Sequence, residues 1–134
     1  MKKTYHGNCH CGAVRFEAEI DLAGVTSRCN CSICGKTRFW KAIAKAGELR
    51  LVQGKEMLTD YSFGRGNIHH FFCKRCGVKT FGRGNAPQLG GEFHGVNLAC
   101  LDDASDKELA EAKVQYEDGR SDHWERAPAE TRHL

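Results

Sequence analysis

Seven of the chain's eight cysteines lie in three short clusters, a pattern that is typical of zinc-binding proteins. Within each cluster neighbouring cysteines are two or three positions apart, so their sulfurs can converge on one metal ion. Four thiolates complete a structural zinc site, whereas three leave one coordination position for water or substrate. The odd total therefore predicts one closed site and one site that could carry out chemistry. The clusters are Cys9 and Cys11, then Cys29, Cys31 and Cys34, then Cys73 and Cys76.

Metal binding is favoured over disulfide bonds by the expected compartment and by the spacing. Residues 1–6 lack the apolar stretch of a signal peptide, so we expect a cytoplasmic protein. In a reducing compartment clustered cysteines bind metals, and a C-x-C pair is poorly placed to form a disulfide with itself. No apolar run approaches the length that spans a membrane. The expected cofactors are therefore two Zn²⁺ ions, in a protein without a membrane segment.

The size and charge of the chain limit the number of domains and the kinds of partner that can be expected. A chain of 134 residues with 40% hydrophobic and 28% charged residues is predicted to form a single domain over residues 1–134. Its formal charge is +3 with every thiol counted as neutral. Four thiolates on one Zn²⁺ and three on another would cancel that charge. A near-neutral protein is a poor candidate for non-specific phosphate binding, so nucleic acid is not expected as a partner.

The elements that must position these cysteines are predicted to be mainly β-strands. Apolar residues alternate along 13–20, and several later runs are bounded by glycine-containing turns. Ser105 and Glu108 form a capping box, which predicts one short helix after it. The class is therefore mainly antiparallel β with little helix, and the tail 118–134 is predicted to be an ordered turn followed by a loose end. The other predicted strands are 38–45, 48–52, 57–63, 68–72 and 93–101.

Spacing alone leaves open which cysteines share a metal ion. Cys9 and Cys11 lie close enough in sequence to join the cluster at 29–34, or they could face Cys73 and Cys76 as a second zinc knuckle. A short internal repeat favours the second pairing, because residues 11–16 resemble residues 76–81. Each segment starts with a cysteine followed by glycine and ends in phenylalanine, and glycine permits the tight turn that such a knuckle needs.

The segments around the clusters resemble the glutathione-dependent formaldehyde-activating enzyme family. The resemblance is carried by residues 7–17, 29–34 and 72–77, and by the later segments 96–102 and 116–120. It implies an Mss4-like fold, a β-tent of packed antiparallel sheets with zinc knuckles. It also implies a structural zinc on the first and third clusters, Cys9, Cys11, Cys73 and Cys76, and a catalytic zinc on Cys29, Cys31 and Cys34.

The reaction that this resemblance implies joins formaldehyde to glutathione and gives S-hydroxymethylglutathione. Formally this is a carbon–sulfur lyase operating in reverse, with a small thiol as the partner. A three-thiolate site suits that chemistry, since a thiol bound at the remaining position would be deprotonated and zinc could polarise the aldehyde oxygen. The alternative is a non-catalytic, zinc-stabilised Mss4-like binding module, whose second zinc would be closed by a fourth protein ligand.

Several residues have both a structural and a functional interpretation. The fourth ligand of a closed second site would be a histidine, and the candidates are His10, His69, His70 and His94. For His69 and His70 the simpler expectation is that both lie on a strand, with one imidazole ring facing solvent and the other packed inside the protein. Cys100 is expected to be a small buried side chain. The alternative is a nucleophile like that of methionine sulfoxide reductase B.

Four further residues follow the second cluster closely. Lys36 and Arg38 could bind a carboxylate of a peptide-like thiol, although we expect solvated surface positions for both. Phe39 and Trp40 are expected to serve the core and not a ligand pocket.

Overall fold

The computed structural model describes all residues, 1–134, which form two β-sheets and two short helices. The helices are α1 (Ser32–Thr37) and α2 (Asp106–Glu111). The strands are β1 (Lys3–Asn8), β2 (Arg15–Ile20), β3 (Val25–Cys29), β4 (Trp40–Lys45), β5 (Leu49–Gln53), β6 (Leu58–Tyr61), β7 (His69–Cys73), β8 (Lys79–Ala86), β9 (Gly91–Asn97) and β10 (Lys113–Glu117).

The two sheets differ in size and in the direction of one strand pair. The smaller sheet has the order β1-β2-β5, and the larger has the order β10-β3-β4-β9-β8-β7-β6. All pairs are antiparallel except β10 with β3, which run parallel in the register Lys113↔Val25 to Glu117↔Cys29. That parallel pair brings the segment after β10 beside Cys29, the first member of the second cysteine cluster.

The main core lies between the two sheets and follows the alternation of β2. Phe16, Ala18 and Ile20 are buried, while the residues between them face outward. The Phe16 ring packs edge-on against Phe81 of β8, with the ring centroids 5.7 Å apart. Burial of a side chain of this size contributes about 1.5–3 kcal/mol. In the neighbouring strand β1, Gly7 lies opposite Phe16 and so close to its ring that a Cβ would overlap it, so only glycine fits there.

The mainly β class is confirmed, and so is the predicted helix. Ser105 accepts a hydrogen bond from the Glu108 N–H, and the Glu108 side chain accepts one from the Ser105 N–H, which is a complete capping box. The predicted strand 93–101 ends earlier, at Asn97, because the Asn97 side chain accepts a hydrogen bond from the Ala99 N–H and starts a 3₁₀ turn. The structure adds α1, and neither helix is long and apolar enough to cross a membrane.

Candidate metal centres and the adjoining cleft

Four cysteines from distant parts of the chain converge between the two sheets. The sulfurs of Cys9, Cys11, Cys73 and Cys76 all lie within 4.8 Å of one another. The Cys9–Cys11 and Cys11–Cys73 sulfur distances are both 3.7 Å. A regular tetrahedron with zinc–sulfur bonds of about 2.3 Å places its sulfurs about 3.8 Å apart. This four-cysteine cluster therefore fits a tetrahedral Zn²⁺ with no further ligand.

Two matching turns present these sulfurs, and they correspond to the internal repeat in the sequence. Gly12 and Gly77 adopt φ values of +78° and +77°, a conformation that favours glycine. In the first turn the Val14 N–H donates to Cys9 Sγ at 3.3 Å, and in the second an amide donates to Cys73 Sγ at 3.4 Å. Backbone amides directed at sulfur favour the thiolate form that binds metal.

The four-cysteine cluster joins parts of the chain that are remote in sequence. Cys11 and Cys73 are 62 positions apart, and both Cys9 and Cys73 are buried against Val14. A metal ion at this position would link the end of β1 to the end of β7, and so the smaller sheet to the larger one. Its ligand set and location are those of a structural site.

Three further cysteines form a second group at one edge of the larger sheet. Cys29 ends β3, Cys31 is the N-cap residue of α1, and Cys34 lies within that helix. Their sulfurs lie within 4.8 Å of one another, and no histidine, aspartate or glutamate ligand atom completes the group. Cys29 is buried, whereas Cys31 and Cys34 are half-buried. This three-cysteine cluster fits three of the four positions around a Zn²⁺, with thiolate donors that suit that ion.

The three sulfurs are close enough to share charge through hydrogen bonds. Contacts from Cys29 and then Cys34 lower the pKa of the Cys31 thiol, whereas contacts from Cys29 and then Cys31 raise the pKa of the Cys34 thiol. The Cys31 N–H also donates to Cys29 Sγ at 3.2 Å. The contacts thus favour one thiolate, on Cys31, and the other two sulfurs would lose their protons on binding a metal.

The three-cysteine cluster is held in place by a loop that follows β10. Asn30 is 6% exposed, and its side-chain amide donates to Asp118 Oδ1 at 2.9 Å while its carbonyl oxygen accepts from the Arg120 N–H at 2.9 Å. Gly119 lies against the cluster, since a Cβ there would be 2.6 Å from Cys29 Sγ. Sequence reasoning did not single out Asn30 or Gly119 as site residues, although Asn30 stands between two ligands and Gly119 lies in a segment that carries the family resemblance.

A cleft of about 300 Å³ opens beside this cluster and is lined with cationic side chains. Lys36 and Arg120 are exposed, and neither belongs to any of the ion pairs that the chain's lysines and arginines form. Lys36 was expected to be a solvated surface residue, and it is both exposed and part of this lining. The lining residues are Cys31, Ser32, Gly35, Lys36, Arg120, His133 and Leu134.

The end of the chain reaches the same region. The His133 carbonyl oxygen accepts a hydrogen bond from Arg38 at 3.2 Å, and His133 and Leu134 line both the cleft and a smaller pocket beside Cys29 and Cys34. For residues 118–134 the sequence predicted an ordered turn followed by a loose end, and the last residues instead contact the region of the three-cysteine cluster. Arg38 is exposed, as expected, and its side chain contacts the tail.

A lysine and a histidine lie beside Phe39. Phe39 is 5% exposed and borders the pocket with Cys29 and Cys34, so it serves both the core and the site. Lys79 Nζ lies 3.8 Å from the centroid of the Phe39 ring and 2.8 Å from His70 Nδ1. The sequence carries no signal for Lys79, because its contact with His70 depends on the pairing of β7 with β8.

The candidate histidines and Cys100 lie outside both cysteine clusters. His69 is half-buried and pairs with Asp60 at 2.7 Å, whereas His70 is buried at 7% exposure, as expected for a strand with one packed ring. His94 packs against Phe81. Cys100 is 6% exposed, and burial raises the pKa of its thiol to about 12. That environment suits a small buried side chain and not a nucleophile.

Comparison with known proteins agrees with this geometry. The family model described as glutathione-dependent formaldehyde-activating enzyme matches residues 4–119. That range includes all seven clustered cysteines, together with Asn30 and Gly119. Among solved structures, the crystal structure of a Rhodobacter sphaeroides protein matches with a TM-score of 0.69 and 36% sequence identity. The match covers 82% of this chain and 99% of that one.

Proposed function

The chain belongs to the glutathione-dependent formaldehyde-activating enzyme family, and from that membership we propose that it is a zinc-dependent carbon–sulfur lyase-type enzyme. In the synthetic direction it would join formaldehyde to the thiol of glutathione and give S-hydroxymethylglutathione. The observation that carries the proposal is the three-cysteine cluster, which has no fourth protein ligand and borders a cleft of about 300 Å³. A closed structural zinc needs no such arrangement.

The two clusters have separate roles in this proposal. The four-cysteine cluster holds a structural Zn²⁺, and Cys29, Cys31 and Cys34 hold the catalytic one. A zinc ion bound there would lower the pKa of a thiol at its remaining coordination position, and as a Lewis acid it would polarise an aldehyde oxygen. The thiolate ligands require a reducing compartment, in keeping with the cytoplasmic location that the sequence predicts.

The charge of the cleft favours an anionic thiol as substrate. Glutathione carries two carboxylates and one ammonium group, so its charges would be matched by cations that have no partner within the protein. Lys36 on α1 and Arg120 after β10 supply such cations at the border of the cleft that Cys31 also lines. A cleft of this volume lies at the lower end of the range for small-molecule sites. We therefore assign the carboxylates of the thiol to Lys36 and Arg120.

The decisive experiment combines zinc analysis with X-ray absorption spectroscopy of the purified protein. Two zinc ions per chain, one with four and one with three thiolates, give an average of about 3.5 sulfur ligands per zinc. Addition of glutathione should raise that average to about 4, because its sulfur takes the remaining position. The oxidised disulfide of glutathione, which has no free thiol, is the matched control and should leave the average unchanged.

The same sample then separates the enzyme from a binding module. Nuclear magnetic resonance exchange spectroscopy measures the rate at which formaldehyde and S-hydroxymethylglutathione interconvert, with and without protein. A faster exchange with added protein supports the enzyme. An unchanged sulfur average together with an unchanged exchange rate would refute the proposal and favour the zinc-stabilised binding module.

A further inference from the structure

Two cavities flank the three-cysteine cluster, and the residues around position 134 separate them. One is the cleft of about 300 Å³ that Cys31 borders. The other, which we call the small cavity, has a volume of about 10 Å³ and is bordered by Cys29 and Cys34. The residues that line both are Gly35, His133 and Leu134. Because glycine has no side chain, the side chains between the cavities come from His133 and Leu134, and we call these two residues the wall.

The two cavities differ in the size of molecule that they can hold. A volume of about 10 Å³ is at the lower limit for one water molecule. Formaldehyde, with one carbon and one oxygen, is close to that size, whereas acetaldehyde adds a methyl group. The larger cleft is in the range of small-molecule sites. Because the three sulfurs lie within 4.8 Å of one another, a thiol in the cleft and an aldehyde in the small cavity would both lie against the same cluster.

The small cavity is lined by two arginines that have no carboxylate partner. Arg28 lies over the Trp40 ring, 5.0 Å from its centroid, and Arg38 donates to the His133 carbonyl oxygen. Neither arginine takes part in an ion pair. A guanidinium carries five N–H donors and no acceptor. The lining therefore offers hydrogen-bond donors, which suit the carbonyl oxygen of an aldehyde.

Few contacts hold the wall in place. Arg38 has a φ of +53°, in the left-handed region that residues other than glycine rarely adopt, and it donates to the His133 carbonyl oxygen at 3.2 Å. The Leu134 N–H donates to the Thr131 carbonyl oxygen at 3.0 Å, and Leu134 is half-buried. The other hydrogen bonds of residues 131–134 go to the neighbouring Glu130. No strand depends on the wall, so its side chains can be altered without opening a sheet.

We propose that His133 and Leu134 are specificity-determining residues, which restrict the aldehyde of the thiol–aldehyde reaction to a single carbon. This inference rests on the proposed function. The thiol occupies the cleft, where Lys36 and Arg120 bind its carboxylates, and the aldehyde occupies the small cavity. A methyl group on the aldehyde carbon would overlap the wall, and such a clash rejects the larger competitor. The family model ends at residue 119, so the matched range does not include the wall.

Two variants, called the opened variants, remove the wall without changing a metal ligand. The first ends at Arg132, and the second keeps its length but carries His133→Gly and Leu134→Gly. Exchange spectroscopy with glutathione gives the acceleration over the uncatalysed rate for formaldehyde and for acetaldehyde. Wild type should favour formaldehyde, and both opened variants should lose at least about 10-fold of that preference, the factor that one methyl group carries in a fitted pocket. Arg132→Ala is the matched control and should keep the preference, because Arg132 is exposed, pairs with Glu130 and lines neither cavity.

Alkylation of Cys34 supplies a readout that needs no turnover. Cys34 borders the small cavity, so removal of the wall should expose its sulfur. Iodoacetamide should modify Cys34 of the zinc-loaded protein at least about threefold faster in the opened variants than in wild type, since the reactivity of a cysteine follows its access. Mass spectrometry of peptides measures this rate, and Cys76 of the four-cysteine cluster is the internal reference that should not change. Circular dichroism checks the fold of each variant, and if one of them does not fold, the other decides.

The outcomes separate failure of this inference from failure of the proposed function. If wild type accelerates the exchange of formaldehyde and the opened variants keep its preference, the wall has no role in specificity and the proposed function stands. If wild type accelerates the exchange of neither aldehyde, the proposed function fails and this inference fails with it. If Cys34 is alkylated equally fast in wild type and in the opened variants, the wall does not cover the small cavity, which refutes the inference independently of activity.

Discussion

Replacing Asn30 with alanine should weaken the second metal site and leave the first intact. The Asn30 side chain joins the turn between Cys29 and Cys31 to the loop after β10 through two hydrogen bonds of 2.9 Å. Asn30 coordinates no metal in the proposal, so its effect must pass through the position of its two neighbours. Residues that orient metal ligands in this way typically contribute 10- to 100-fold to metal affinity. We therefore expect zinc at the three-cysteine cluster to bind about 10- to 100-fold more weakly.

The cost in stability follows from the groups that the substitution leaves unpaired. Asn30 is 6% exposed, and its removal leaves the Arg120 N–H, which takes part in a partly buried hydrogen bond, without its protein partner. An unsatisfied backbone donor of this kind costs about 1–3 kcal/mol. With an unfolding entropy of about 2.1 cal/mol/K per residue, a 134-residue chain loses about 3.6 °C in Tm per kcal/mol. The expected decrease in Tm at constant free zinc is therefore roughly 4–11 °C.

The assay is competition for zinc with a chromophoric chelator, combined with a thermal melt at pH 7. Hydrogen bonding from Asn30 lowers the pKa of Asp118. The ordinary pKa of an aspartate, about 3.9, already lies far below 7, so this carboxylate is charged at pH 7 with or without that bond. Asn67→Ala, in the exposed turn before β7, is the matched control and should change Tm by less than about 2 °C. If Asn30→Ala releases both zinc ions together, or neither more readily than wild type, the link between the β10 loop and the second site is wrong.

Two further predictions separate the metal sites. Cys73→Ser should prevent folding at ordinary zinc concentrations, because it removes a ligand from the four-cysteine cluster. Cys31→Ser should stay folded and bind one zinc, which circular dichroism and zinc analysis would show. Equal unfolding of both variants would contradict this division of roles. Gly119→Ala would place a Cβ 2.6 Å from both the Cys29 sulfur and the Trp124 ring, so the packing around Cys29 must shift, and we expect only the second zinc to bind more weakly in the chelator assay. Gly35→Ala, whose Cβ meets Asn30 O at an ordinary 3.8 Å, is its control, and equal zinc affinities would show that Gly119 has no role.

The sequence predicts most of what local pattern controls. The alternation in β2 and the capping box of Ser105 with Glu108 appear in the structure where they were expected, because each depends on neighbours within a few positions. The repeat that follows Cys11 and Cys76 corresponds to two similar turns, since a glycine with positive φ follows the second cysteine of each pair. These features need no knowledge of the rest of the chain.

What the sequence could not predict depends on contacts between distant segments. The approach of Gly119 to Cys29 follows from the parallel pairing of β10 with β3, and no periodicity reports which strands become neighbours. Lys79 resembles any strand lysine until β7 and β8 pair and place it against His70. Helix α1 was missed because its six residues bury no apolar face, which is the signal that identifies a helix in sequence. The spacing of the cysteines thus predicts the metal ligands, whereas the residues that surround them depend on how the strands pair.

The location of the two clusters agrees with the proposal that one is catalytic and the other structural. The four-cysteine cluster joins both sheets and includes two buried sulfurs, so any opening of that site would separate β1 from β7. The three-cysteine cluster draws on β3 and α1 alone, within six consecutive residues, and its neighbours are a cleft, a loop and the chain's last residues. Ligands so close in sequence can lose or exchange a fourth partner without moving a sheet. In the proposed reaction a substrate thiol would therefore enter and leave there at little cost to the fold, which is what turnover requires.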